Sequence, residues 1–317
     1  MDSPAGPELS PSVSIAILNY QRRDALREAL ASARSQRHPV EILAVDNAST
    51  DGSAEMVRDE FPDVRLVRLP ENIAAAARNV GVASAKGDVV FTLDNDVRFS
   101  TPDDVTRGLE VFQRHPRAAV VNFMIVGPDG ALCRRDWCHP RDPDAWGERE
   151  FATDYVLEGA SACRREAFLA SGGYWAPFFI GHEGWDLSYR LLDAGWELIY
   201  SPAVHVRHMV DESVRPSSRI YYTFTRNAVW VALRNLPPAL AAWSIAKDLS
   251  LMGVTSARAG QLAAYRRGIT DAVRGAHVAL GTRRPITRAT RREIRSLHHL
   301  KPSLIAKMRR HLAERLI

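Results

Sequence analysis

The 317-residue chain contains only three cysteines: Cys133, Cys138 and Cys163. An odd number without paired spacing argues against a disulfide framework and for a reducing compartment. Cys133 and Cys138 could open a zinc site, but no second ligand pair lies nearby in the sequence. No run reaches 18 apolar residues free of charge. The nearest, residues 236–254, is broken by Lys247 and Asp248, which argues against a membrane span. There is no G-x-G-x-x-G after the first apolar run and no G-x-x-x-x-G-K-[ST] anywhere, so a dinucleotide oxidoreductase or P-loop NTPase is disfavoured. Residues 1–11 are rich in Pro, Ser and Gly, lack the apolar core of a signal peptide and read as a disordered leader. No internal repeat is evident.

What remains has an ordinary globular composition, 46% hydrophobic and 25% charged. The charge is unevenly placed. Residues 255–317 hold 15 Lys and Arg against three Asp and Glu, net +12, whereas the remainder holds 27 against 34, net −7. A basic tail on an acidic body suits an anionic surface such as a bilayer, or a solvated helical face.

From residue 12 to about 126, short apolar runs alternate with helical stretches. Strands are expected at SVSIAILNY, EILAVDN, VRLVRL, DVVFTLD and AAVVNFMIV. Helices are expected at RRDALREALASARSQ, TDGSAEMVRDEF, NIAAAARNVGVASA opened by Asn72, and PDDVTRGLEVFQRH with Pro102 at its first position. This alternation predicts an α/β fold with a mostly parallel sheet covered on both faces. Further along, a strand into Gly159, helices over 164–170 and about 183–193, and two short strands up to His208 are expected. Basic helices broken at Pro237-Pro238 and near Pro285 follow. The domain reading is a catalytic domain over 12–213 and a basic helical extension over 214–317.

In parallel sheets, ligands sit beyond the carboxyl ends of the strands. Asn19 and Tyr20 end the first strand, Asp46 and Asn47 the second, and Asp94, Asn95 and Asp96 the fourth. Three strand ends with acidic or amide groups describe one site. Two carboxylates there suit a hard divalent cation that also holds phosphates. Asp46 could accept a hydrogen bond from a nucleobase imide or a ribose hydroxyl, or cap its own turn. Arg78 could meet a phosphate. The stretch HEGWD adds Glu183 and Asp186, one turn apart, either of which could deprotonate a hydroxyl. Trp175 and Trp185 offer aromatic faces to a sugar, or packing to the core.

The segments SIAILNYQRRDALREALASA, EILAVDNASTDGS, AAARNVGVASAKGDVVFTLDNDV, EGASACRREAFLASGGYWAPFFIGHEGWDLSYRLLDAGWELIYSPAVHVRH and YYTFTRNAVW, in that order and spacing, resemble the family 2 glycosyltransferases of the GT-A fold. The likeness spans roughly residues 12–235. It implies that Asp46 binds base or ribose, that Asp94 and Asp96 form the D-x-D motif for nucleotide and metal, and that His208 is a further metal contact, with His205 a competitor. Arg190 matches an arginine usual in the helix after the acidic motif, on the acceptor and sugar side. The implied reaction moves a hexosyl or deoxyhexosyl group from a UDP-, dTDP- or GDP-linked donor to a hydroxyl of a glycan, a lipid-linked acceptor or a small molecule, with inversion. Mg²⁺ or Mn²⁺ would neutralise the leaving diphosphate. The family pattern E-D-x-D-L reads Glu183-Gly184-Trp185-Asp186-Leu187 here. Glycine therefore stands where the catalytic base is common, and Glu183, then Asp186, is expected to replace it. The expected setting is cytoplasmic, peripheral at the inner membrane face through 214–317, with no nucleic-acid partner and a homo-oligomer allowed. The alternatives are a catalytically degenerate nucleotide-sugar-binding subunit, motivated by Gly184, and a sugar nucleotidyltransferase. The second would want a Gly- and Lys-rich loop where NYQRRD stands.

Overall fold

The computed structural model describes residues 11–127, 129–209 and 217–298. The leader expected over 1–11 lies outside them save for its last residue.

The chain forms β1 (Val13–Asn19), α1 (Arg23–Arg34), β2 (Glu41–Asp46), α2 (Ser53–Glu60), β3 (Arg65–Arg68), α3 (Ala77–Ser84), β4 (Val89–Asp94) and β5 (Val97–Phe99). Next come α4 (Asp104–Arg114), β6 (Ala118–Val126), α5 (Pro143–Trp146), β7 (Phe151–Ala152), β8 (Ala160–Arg164) and α6 (Arg165–Ala170). The rest comprises α7 (Glu183–Asp193), β9 (Glu197–His208), α8 (Ser218–Asn235), α9 (Pro238–Arg258), α10 (Leu262–Arg274), α11 (Ala276–Gly281) and α12 (Arg288–His298).

The early strands are apolar without alternation because both faces of the sheet are covered. Ile15 and Ile17 of β1 point into one core with Leu26, Leu30 and Phe91, whereas Ala16 between them joins Leu43, Val90 and Leu187 on the other side. Helix α1 buries Leu26, Ala29, Leu30 and Ala33, the stripe its 3.6-residue period dictates.

The described sheet runs in the order β3-β2-β1-β4-β8-β6-β9-β5, with β7 also paired to β9. The β1, β2, β3 and β4 pairings are parallel, as is β6 with β9. β8 enters antiparallel between β4 and β6, and β5 lies antiparallel on β9. The chain passes from β4 to β5 through Asn95 and Asp96 alone, yet three strands separate the two in the ladder. Two residues cannot span that distance across a flat sheet. The sheet therefore curls until its far edge meets the end of β4.

Some boundaries differ from expectation. Pro102 lies outside α4, in the turn before it, where Asp104 Oδ2 accepts from Thr101 N at 2.6 Å. Gly159 precedes β8 and does not end a strand, because its φ of +74° turns the chain. The two strands expected before His208 are one, β9, with a register shift where it passes Pro202. The helix expected from Asn72 opens as a 3-10 turn over Ala74–Ala76.

Helix α8 is fastened to α7 by one residue. The Asp186 carboxylate is fully buried and receives Arg190 Nη2 at 2.6 Å and Arg234 Nε and Asn235 Nδ2 each at 2.7 Å. Arg190 is spent on this cage and on the carbonyls of Ser171 and Gly173. Removing one member of a buried ion pair leaves the remaining charges uncompensated. Asp186→Ala should cost about 3–5 kcal/mol of folding stability in denaturant titration. A loss below about 1 kcal/mol would contradict the clamp role.

Candidate active site

The carboxyl edge of the parallel strands opens into a cleft of about 630 Å³. Its floor is a hydrogen-bonded network joining three strand ends. Asn19 Nδ2 donates to Ser49 Oγ at 3.1 Å and to Asp46 Oδ1 at 3.4 Å, and Asn95 Nδ2 donates to Asn19 Oδ1 at 2.8 Å. Asp46 and Asn19 are buried beneath this floor, and Asp46 Oδ2 has an ion-pair contact to Arg68 Nε at 3.5 Å. Asn47 lines the cleft and donates to Asn72 Oδ1 at 2.9 Å, which orders the turn into α3. Tyr20 lines the cleft with 45% of its surface open.

Asp94 and Asp96 share the cleft, and each is met by positive charge. Arg78, reaching over from α3, donates to Asp94 Oδ1, and Arg22 Nη1 donates to Asp96 Oδ2 at 2.6 Å. His208 Nε2 stands 3.7 Å from Asp96 Oδ1, while its Nδ1 bonds Asp136 Oδ2 at 2.9 Å. Burial and then the Asp94 charge raise the pKa of Asp96. Burial opposes protonation of His208, but the Asp136 bond and the Asp96 and Asp136 charges outweigh it and raise its pKa. Neither His208 nor the rival His205 lines the cleft itself; His208 reaches it through Asp96.

No group of three or more His, Cys, Asp or Glu among the described residues is arranged as a metal site. The donors nonetheless fit a hard divalent cation: two carboxylates and an imidazole whose far nitrogen is fixed by another carboxylate, the outer-shell pairing that orients ligating histidines. Arg22 and Arg78 occupy the carboxylates instead. Cys133, Cys138 and Cys163 are unpaired thiols.

The opposite wall comes from the loop before α7, the start of α7 and α8. Glu183, Trp185, His182 and Phe224 line it. His182, at φ 72°, is pulled down to about 4 by burial. Burial and then the charge of Glu158 push Glu183 up to about 8. Asp186 and Arg190 do not line the cleft, since the clamp to α8 holds both. Trp175 is half-buried behind it, against Phe178 and Trp230. The lining residues that escaped sequence reasoning include Arg22, Tyr155, Glu158, His182, Arg219 and Phe224. Glu158 had one signal, a carboxylate between the apolar YVL and GASAC runs.

The model of the family described as glycosyl transferase family 2 matches residues 14–171. The chain belongs to glycosyl transferase family 2. It is a glycosyltransferase with a GT-A-type α/β fold and a helical C-terminal region. An N-acetylglucosaminyl-diphospho-decaprenol L-rhamnosyltransferase of Mycobacterium tuberculosis is 27% identical over 230 residues, covering 61% of this chain and 75% of that protein. A pre-mycofactocin glycosyltransferase of the same organism is 32% identical over 224 residues, covering 65% of this chain and 44% of that one. Among solved structures, the Pyrobaculum calidifontis mannosyltransferase PcManGT with GDP-Man and Mn²⁺ superposes at a TM-score of 0.56 and 20% identity, covering 93% of this family 2 chain and 86% of that one. GalNAc-T7 with UDP, GalNAc and Mn²⁺ also gives a TM-score of 0.56, at 18% identity over 73% of this chain and 49% of that one.

Proposed function

We propose that this family 2 chain transfers a sugar from a nucleoside diphosphate donor (UDP-, dTDP- or GDP-linked) to an acceptor hydroxyl, with inversion, in glycan or cell-envelope synthesis. The observation that carries the reading is the cleft holding Asp94 and Asp96 side by side, with Arg78, Arg22 and His208 turned onto them. Asp94, Asp96 and His208 would hold Mg²⁺ or Mn²⁺, which when bound supplies positive charge against the donor diphosphate. Solved relatives of the same fold carry Mn²⁺ with a nucleotide or nucleotide sugar, which supports this choice.

The chain's own groups divide the remaining work. Asn47 offers fixed polar atoms to base and ribose from the cleft lining, while Asn19 and Asp46 brace the strand ends beneath it. Arg78 and Arg22, released from the aspartates, are placed to bond phosphate oxygens. Trp185 and Tyr20 give the sugar apolar faces. A carboxylate at the α7 wall takes the acceptor proton. Of the two acidic residues of HEGWD, Glu183 lines the cleft and Asp186 does not.

The region over 214–317 serves, in this reading, as acceptor and membrane platform beside the catalytic domain over 12–213. The M. tuberculosis rhamnosyltransferase takes its name from a lipid-linked diphosphate, which supports an acceptor of that class. A second cavity of about 350 Å³ adjoins the cleft, sharing Phe179 and Arg219, and gathers Arg226 and Arg267 around Tyr222. Among the described residues no carboxylate pairs with these three arginines, so the cavity suits an anionic acceptor group. Along α9, Leu240, Trp243, Lys247, Leu251, Val254 and Arg258 recur at three- and four-residue steps and are all exposed, Trp243 at 68% and Leu251 at 64%. An outward apolar stripe edged with cations fits an anionic bilayer. No described helix is long and apolar enough to cross one.

Two measurements test the reading. UDP, dTDP or GDP with Mn²⁺ should raise the melting temperature of the full chain, because a ligand bound to the native state stabilises it. Asp96→Ala should abolish both that shift and sugar transfer while keeping the unliganded melting temperature within a few degrees. Unimpaired transfer in this variant would remove the metal role. For the membrane contact, the double variant Trp243→Ser, Leu251→Ser should weaken cosedimentation with phosphatidylglycerol vesicles about tenfold or more, given the apolar area lost. Equal binding by variant and parent would refute α9 as the docking face.

A further inference from the structure

Gly184 leads to a carboxylate outside the acidic stretch HEGWD. A Cβ built on Gly184 would overlap Glu158 Oε1 and the carbonyl of Val156, and the Gly184 N–H donates to that same Oε1. Glu158 therefore fills the volume that a side chain at 184 would need. It reaches this place from the turn before β8, 26 residues upstream in the chain. Its second oxygen accepts from Tyr155 OH at 3.0 Å.

Glu158 and Glu183 line the same cleft wall but differ in their support. Glu158 has a donor on each oxygen. Glu183 Oε2 is buried with no hydrogen-bond partner. Two buried carboxylates this close do not both stay ionised, and the charge settles on the one with more donors. We propose that Glu158 is the catalytic carboxylate that takes the acceptor's proton, and that Glu183 is its protonated neighbour, orienting the acceptor hydroxyl as a hydrogen-bond donor. The elevated pKa of Glu183, about 8, agrees with its holding the proton at neutral pH. Burial raises Glu158 as well, while its backbone bonds, the Arg78 charge and the Tyr155 bond pull the other way. This inference rests on the transfer reading of the preceding subsection and names the proton acceptor within it.

In the step, the acceptor O–H bond breaks and its proton moves to a Glu158 oxygen. The freed oxygen pair forms the bond to the anomeric carbon. The bond from that carbon to the diphosphate oxygen breaks, and its electron pair departs with the nucleoside diphosphate. Glu158, neutral after the step, returns its proton to water once the product leaves.

The test uses the full chain with Mn²⁺ and UDP-, dTDP- or GDP-sugar, with water as acceptor and release of nucleoside diphosphate as readout. Glu158→Gln should lower kcat by about 100-fold or more, the range of a lost general base, with donor KM within about threefold. Glu183→Gln keeps a hydrogen-bond donor beside the acceptor and should hold kcat at least about tenfold above both Glu183→Ala and Glu158→Gln. Glu158→Gln within fivefold of the parent, or Glu183→Gln as impaired as Glu158→Gln, overturns the assignment. If Glu158→Gln loses its Mn²⁺-dependent nucleotide melting shift through misfolding, the two Glu183 variants decide: Glu183→Gln at least about tenfold above Glu183→Ala supports the assignment, and equal loss in both overturns it. No release by the parent chain with any of the three donors would sink the transferase reading itself, and this assignment with it.

Discussion

Placing two carboxylates two residues apart at the end of a buried strand is unfavourable unless positive charge reaches both. Here that requirement organises the whole carboxyl edge of the sheet. Arg78 comes from α3, Arg22 from the turn before α1 and His208 from the end of β9. Each arrives from a different crossover, so the αβ units must be packed in register for the aspartates to keep their charge. The sheet's curl serves the same end: without it His208, on β9, would lie three strands away from Asp96. The guanidiniums on the two aspartates are also exchangeable partners. In the proposed reading, a divalent ion and a diphosphate together would offer the carboxylates a cation and the arginines an anion, so that ligand entry would trade one neutral arrangement for another.

The opposite wall follows a different logic. There, charge is confined instead of matched. Asp186 is buried, but its two arginines and one asparagine make it a structural fastening whose chemistry is used up. Glu183 lies in the same first turns of α7 without such company, and Glu158 lies beside it, bonded to the Gly184 N–H, with partial company. Three acidic groups within one small region thus carry three different burdens, decided by how many donors surround each.

Much of this was legible in the sequence, and the division is physical. Periodicity gave the early strands and α1, because both depend on local apolar spacing. The polar ends of β1, β2 and β4 marked the cleft, because parallel strands must bring those ends together; Asn19, Asp46 and Asn95 are joined there by hydrogen bonds. Contacts distant along the chain were not legible. Arg22 meets Asp96 across 74 residues, and Glu158 meets Gly184 across 26. Asp186 looked like a candidate base because α8, 48 residues on, was not yet folded against it. Trp175 looked available to a sugar for the same reason. The strand expected to end at Gly159 instead begins after it, as β8 from Ala160, because Gly159 reads equally well as the end of one strand or the turn into the next.

The clamp between α7 and α8 has a consequence for how such a chain can be divided. Arg219, Ile220 and Phe224 of α8 form part of the cleft's wall, yet the match to the family model stops at residue 171. Any shortened version ending near that border would lose β9, α7 and α8, and with them the wall facing Asp94 and Asp96. Whatever enters the cleft is therefore met on one side by residues outside the matched segment, held in place by the Asp186 fastening.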